Sequence, residues 1–244
     1  MAILRNLRNI IEADVSEHHF AKIKKALLDA SWKQTRILPF RYIAAARNAP
    51  QLEPELESAM LNSLGIHKKL SGRTVLLIDV SGSMDAPLSA KSDMTRLDAA
   101  CGLAMLLREI CEDVEVYTFS LQLVQIAPRR GFALRDAIVS SQDHSGTYLG
   151  KAVKALYAPK DTSERFKGFY RGHLTFKGQG LSPDRLIVIT DEQSSDQVPN
   201  PKGLGYMLNV ASNKNGVGYG PWRHVDGFSE SVVKWIQELE DSEY

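Results

Sequence analysis

The chain has 244 residues, 43% of them hydrophobic, and its 30 Lys and Arg against 29 Asp and Glu leave a net charge of +1. That length supports a sizeable core in one large domain or two. The near-neutral total excludes the global charge signature of a polyanion-binding protein. The charge is uneven, however: residues 1–73 hold 12 basic against 7 acidic side chains, and the remainder 18 against 22. A basic end on a mildly acidic body fits a nucleic-acid contact or, equally, solvated helix faces.

The chain starts MAILRNLRNIIEADVSEHH, which charges interrupt and which lacks the apolar core of a signal peptide. No stretch of 18 apolar residues occurs, so no membrane span is expected. EHHFAKIKKALLDA (17–30) spaces Phe20, Ile23, Ala26, Leu27 and Ala30 by three and four, as a helix requires. PFRYIAAARNA (39–49) places Pro39 in a first helical turn and stops before Pro50. LEPELESAMLNSLG (52–65) has acids in its first turns and Gly65 at its end. Residues 1–70 therefore form a segment of three or four short helices.

The pattern changes at Ser71-Gly72, opening a second unit over 71–244. TVLLID (74–79) is a short apolar run of the kind buried on both faces of a parallel sheet. TRLDAACGLAMLLREICED (95–113) predicts a long amphipathic helix. It carries both cysteines, Cys101 and Cys111, ten residues and about 15 Å apart along the helix. A disulfide needs Cα atoms within about 7 Å, so these are core thiols of a reducing compartment. No Cys/His set has zinc spacing, and the expected location is cytoplasmic. Strands follow at 114–120 and 121–127, then helices at 132–141 and 147–158. The later strands fall at 185–190 and 205–212, and a helix at 229–240 has Ser229 as a plausible cap. This alternation predicts an α/β fold: a doubly wound, Rossmann-like, mostly parallel sheet with helices on both faces.

The stretch 159–184 is long for a connection. It mixes Phe166, Phe169, Tyr170 and Phe176 with Lys160, Arg165, Lys167, Arg171 and Lys177. That set would suit single-stranded RNA, or an elaborated hairpin whose aromatics pack on the sheet.

The residues LLIDVSGSMD (76–85) carry the chemistry. Ligands of open parallel sheets bind at the carboxyl edge of the strands. Asp79 closes the first sheet strand and Asp191 the fourth predicted one, so both converge on that edge. Ser81 and Ser83 lie just beyond Asp79, and Gly82 lets the loop turn tightly. Thr147 opens a predicted helix after the glycine of SGTYLG. Two carboxylates and three hydroxyls are hard oxygen donors, suited to Mg²⁺ or Mn²⁺ and not to Zn²⁺. Neutral alcohols leave much of the metal's charge uncancelled, so an acidic group from a partner protein is the expected further ligand.

Asp79-x-Ser81-x-Ser83, with the distant Thr147 and Asp191, resembles the metal-ion-dependent adhesion site of von Willebrand factor A (vWA) domains. The resemblance implies that Ser81, Ser83 and Thr147 bind the metal directly, and that Asp79 and Asp191 act directly or through water. LPFRYIAAARNAP, LEPELESAMLNSL and the segment NGVGYGPWRHVDGFSESVVKWI further resemble the Ro autoantigen family. There a ring of helical repeats, the TROVE module, leads into a vWA domain. Those proteins bind small noncoding RNAs such as Y RNA and act as scaffolds, including with exoribonucleases, not as enzymes. By that analogy Arg41 and Arg47 are candidate phosphate contacts. This chain supplies only about 70 residues before the sheet, too few for a ring; the expectations are a fragment with an upstream half, a split gene product with a helical-repeat partner, or a naturally minimal form.

Other chemistries fit less well. A serine hydrolase would want G-x-S-x-G, and VSGSM lacks the first glycine. A phosphatase using Asp79 as nucleophile would place a second acid two residues on, where Ser81 stands. There is no phosphate loop, and GVGYG (216–220) reads as a tight strand connection. His18 and His19 are adjacent and cannot share a metal on one helix face. His144 reads as a solvated loop side chain or a group near the metal; Met84 and Asp85 shape or cover the metal loop. The alternatives to an RNA-associated metal module are a purely protein-binding adhesion scaffold and a metal-dependent hydrolase.

Overall fold

The structure is a computed structural model that describes residues 2–29, 37–64, 68–90, 92–167, 173–211, 220–227, 229 and 231–242. Among the described residues, the chain opens with four α-helices: α1 (Ala2–Glu12), α2 (Glu17–Leu27), α3 (Pro39–Asn48) and α4 (Glu53–Leu64). Sequence reading assigned no element to α1. Its Leu4 and Leu7 are buried while Arg5 and Arg8 face solvent, the stripe that turns a charge-broken stretch into an amphipathic helix.

Strands β1 (Leu70–Asp79), β2 (Cys111–Phe119), β3 (Leu123–Ile126), β6 (Arg185–Thr190), β7 (Leu204–Asn209) and β8 (Arg223–Asp226) form one sheet of order β3-β2-β1-β6-β7-β8. All neighbours run parallel except β2 and β3. The expected doubly wound α/β architecture is what the structure shows. Helices α5 (Arg96–Ile110), α6 (Gly131–Val139), α7 (Leu149–Tyr157) and α8 (Ser231–Ser242) complete it, with a separate hairpin of β4 (Ser163–Lys167) and β5 (His173–Lys177).

Strand period two divides the core. Leu76, Ile78, Ile187, Ile189, Tyr206 and Leu208 join α1, α3, α4, α5 and α8 in one cluster. Val75, Leu77, Tyr117, Phe119, Leu186, Val188 and Met207 face α7 and the hairpin in the other. The N-terminal helices and the sheet thus share a continuous core through α5. Gly102 of α5 lets Phe40 of α3 approach to within 3.1 Å of where a Cβ would stand.

Several boundaries differ from expectation. The helix predicted to run to Asp113 ends at Ile110, and Cys111 opens β2, extended and paired with Leu70. Glu112 and Asp113 would have placed acids at a helix C-terminus, against its dipole, and the ladder with β1 claims them instead. The two cysteines therefore lie on different elements; both are buried and free. The helix expected from Thr147 begins at Leu149, and the strand expected over 121–127 is confined to Leu123–Ile126. Ser229 accepts from the Val232 amide through its backbone carbonyl at 3.1 Å, and α8 begins at Ser231.

The 159–184 stretch is the packed hairpin. Phe176 is buried, Phe166 stacks on it with centroids 6.0 Å apart, and Tyr148 meets Phe166 edge-on at 4.9 Å. These two aromatics pack against the core, the second of the two arrangements that the sequence allows. Phe169, Tyr170, Arg171 and residues 216–219 lie outside the described residues. Among the described residues, no helix is long and apolar enough to cross a membrane.

Candidate metal centre

The chain fills the sheet outward from β1, first towards β2 and β3 and then, on the other side, towards β6, β7 and β8. The direction reverses between β1 and β6, and such a switch point leaves a crevice at the carboxyl ends of the two strands. Asp79 is the last residue of β1 and Asp191 follows the last residue of β6. Register pairs Ile78 with Ile189, so the two strands end level and both carboxylates stand at the crevice.

Three loops are laced together there. In the first, Asp79 Oδ1 accepts from the Ser81 amide at 2.9 Å, and the Ser81 and Ser83 hydroxyls lie 3.2 Å apart. In the second, the carbonyl of Ser145 accepts from the Gly82 amide at 3.1 Å, which brings the 144–147 segment against the serine loop. In the third, the Ser195 amide donates to the Thr147 carbonyl at 2.8 Å, tying the loop after Asp191 to Thr147. Asp196 anchors that loop by accepting from the Gly150 and Lys151 amides, both at 2.8 Å, at the start of α7. Gly150 has to be a glycine, since a Cβ would stand 2.1 Å from the Gln197 carbonyl oxygen.

The five predicted residues are therefore carried on mutually bonded loops. Asp79, Ser81 and Asp191 are fully buried, Thr147 is 8% exposed and Ser83 is half-buried. Burial pushes the Asp79 carboxyl up to about 7; hydrogen bonds from Thr190 and Ser81 oppose the rise, and the nearby Asp191 charge adds to it. Such a carboxylate is costly without a cation beside it. Among the described residues, no three His, Cys, Asp or Glu side chains gather as a metal cluster. A cation here would rest on two carboxylates and three hydroxyls, a hard oxygen set that fits Mg²⁺ or Mn²⁺.

Two side chains that sequence reading passed over complete the site. Thr190 donates to Asp79 Oδ2 at 2.6 Å and accepts from the Glu192 amide at 3.1 Å. Arg96, the first residue of α5, donates to Asp191 Oδ2 at 2.6 Å and to the Ser83 carbonyl at 3.4 Å. A capping box fixes the helix start and with it the backbone of Arg96. Thr95 accepts from the Asp98 amide at 3.1 Å, and Asp98 accepts from the Thr95 amide at 2.7 Å.

Of the other candidates, His144 is half-buried and lies beside the Asp85 carboxylate of the serine loop. Its Nδ1 lies 2.9 Å from Asp85 and its Nε2 2.9 Å from the Val139 carbonyl, so both nitrogens are engaged. Met84 is buried beneath the loop. Arg47 pairs with Asp98 and donates to the Asp93 carbonyl at 3.0 Å, tying α3 to the start of α5. Arg41 is exposed and lies over the Phe40 ring at 5.5 Å. With Arg5, Arg8 and Met94 it lines a groove of about 490 Å³ beside α1. Arg165, Lys167 and Lys177 are exposed on the hairpin.

No family model matches the chain, and no curated protein does. Among solved structures, it is similar to the Ro (RSR) protein of Deinococcus radiodurans, with 20% identity, a TM-score of 0.64 and 93% of this chain covered. A second similarity, at 16% identity over 69% of this chain and with a TM-score of 0.41, is to an aerotolerance-related membrane protein of Bacteroides fragilis carrying multiple mutations to serine. The chain spans 49% of the Deinococcus protein's length. The fold of this chain, sheet and preceding helices together, is thus one found in a Ro protein.

Proposed function

We propose that this chain is a noncatalytic, divalent-metal-dependent binding module of a Ro-like, small-RNA-associated ribonucleoprotein. Ser81, Ser83 and Thr147 would hold Mg²⁺ or Mn²⁺ directly, with Asp79 and Asp191 directly or through water. With neutral hydroxyls as its direct ligands and the carboxylates acting in part through water, the bound ion would keep part of its positive charge, and the ligand it recruits is an acidic side chain of a partner protein. The observation that carries this reading is the convergence of three hydrogen-bonded loops at the reversal between β1 and β6. A binding role suits the site better than hydrolysis, because both nitrogens of the neighbouring histidine are engaged and Asp79 is held by the Ser81 amide and the Thr190 hydroxyl. Titrating Mg²⁺ into metal-free protein by calorimetry should give one saturable site. Asp79→Ala is expected to abolish it; unchanged binding by that variant would remove the site assignment.

RNA association has a separate support in the hairpin. Pairing of Ser163 with Lys177, Arg165 with Thr175 and Lys167 with His173 sets Arg165, Lys167 and Lys177 on one face. The other face turns Phe166 and Phe176 inward. Such a ribbon would contact phosphates and not bases, so its binding would be steeply salt-dependent and indifferent to sequence. Replacing Arg165, Lys167 and Lys177 together by Gln should flatten the slope of log affinity against log salt by about 2 to 3 for an RNA stem. An unaltered slope would take the hairpin out of any RNA interface.

A further inference from the structure

Arg96 gives the centre a feature that its five oxygen ligands do not predict. Asp191 is fully buried, and the guanidinium that faces it is 16% exposed. Asp79, the other carboxylate, is held by the neutral donors Ser81 and Thr190. The guanidinium also reaches the carbonyl of Ser83, whose hydroxyl belongs to the expected ligand set. A fixed positive charge thus lies between the serine loop and the Asp191 carboxylate, where it would repel a divalent ion held by those groups.

We propose that Arg96 is the centre's built-in counter-cation, and that a divalent ion binds by displacing its guanidinium from Asp191. This rests on the metal reading above and adds the residue that sets its affinity. Arginine cannot shed its proton to relieve the repulsion, so the charge has to move. The side chain can do so alone. Its backbone is pinned at the first position of α5, by the Thr95–Asp98 capping box on one side and by its own amide donating to the Ala86 carbonyl at 2.9 Å. Rotation about the long aliphatic stem carries the guanidinium outward without shifting the helix. In the metal-free state the pair compensates one of two buried carboxylates, so the fold does not depend on metal. In exchange, metal entry costs an ion pair, and affinity falls below that of the same ligand set without the arginine.

Calorimetric titration of Mg²⁺ and Mn²⁺ into Arg96→Gln should show affinity higher by about tenfold or more, the scale of one charge removed from a site within a few ångströms. In EDTA the same variant should melt below the wild type, and saturating Mg²⁺ should close that gap. A merely structural arginine would lower stability equally in both conditions. Equal or weaker Mg²⁺ affinity in folded Arg96→Gln overturns the proposal while leaving the metal site standing. No Mg²⁺ binding by wild type or variant removes the metal reading and this inference together. Should the variant not fold, the wild type decides. During Mg²⁺ titration the Arg96 Nε–H resonance should move from its ion-paired position to that of a solvated guanidinium, and a resonance that stays put as the site saturates rejects displacement.

Discussion

Metal-free protein is expected to lose stability as the pH rises from about 4 to about 7, and Asp79→Asn is expected to remove that loss. The Asp79 carboxyl is fully buried, and burial raises it from 3.8 to about 7 in the folded chain. Between those values the folded state holds a proton that the unfolded state has released, so raising the pH favours unfolding. The stability tied to this group is complete below about 4 and is lost as the pH passes through about 7. At 1.36 kcal/mol per unit the difference is on the order of 4 kcal/mol. Urea denaturation in EDTA, run at intervals from pH 4.5 to 7.5, measures it as a falling midpoint in the wild type and a flatter one in Asp79→Asn. Asn keeps the acceptor for the Ser81 amide, and the Thr190 hydroxyl can turn to accept from its NH₂ group. Saturating Mg²⁺ favours the carboxylate and should cancel the loss in the wild type. Parallel curves for the two proteins would show that the cost of burying Asp79 is met some other way.

Glu240→Ala is expected to destabilise the fold by about 3 to 5 kcal/mol, the range for removing one partner of a buried ion pair. Arg185, 3% exposed, opens β6 and donates through Nε to Glu240 Oε1 at 2.6 Å, with Nη2 paired to Oε2. The Tyr206 hydroxyl donates to the same carboxylate at 2.9 Å, and Arg185 Nη1 donates to the Thr74 hydroxyl at 2.8 Å. The network joins α8 to β1, β6 and β7. Deleting the carboxylate leaves a guanidinium that cannot neutralise inside the core. The double change Arg185→Met with Glu240→Leu should recover most of the loss, because replacing both members with apolar groups removes the desolvation problem itself. A denaturation midpoint that shifts little in Glu240→Ala would mean that water reaches Arg185.

The sheet was legible because its central strands are apolar runs ended by turn chemistry: TVLLID and RLIVIT fall within β1 and on β6. The ligand candidates were legible for a related reason. Asp79, Ser81, Ser83, Thr147 and Asp191 sit at element ends, where the sequence marks position along a strand and the parallel sheet converts that position into proximity. Arg96 was not legible, since its partner lies 95 residues away and no local pattern encodes where a long side chain turns. The hairpin aromatics were ambiguous because Phe166 and Lys167 alternate equally well on a packed ribbon and on a binding ribbon. Only the strand pairing decides which face turns inward. The early end of α5 was hidden by a cysteine and two acids that suit helix and strand alike until β1 is placed beside them.

The distance along the chain between Arg185 and Glu240 bears on how the molecule is made. The two are 55 residues apart. At synthesis rates of about 5 to 20 residues per second, β6 emerges roughly 3 to 11 seconds before its carboxylate exists. Until α8 docks, the Arg185 guanidinium lacks its carboxylate partner, and leaving water alone would be costly. β6 can pair with β1 during that interval, but the end of the sheet around Arg185 should close last, together with α8.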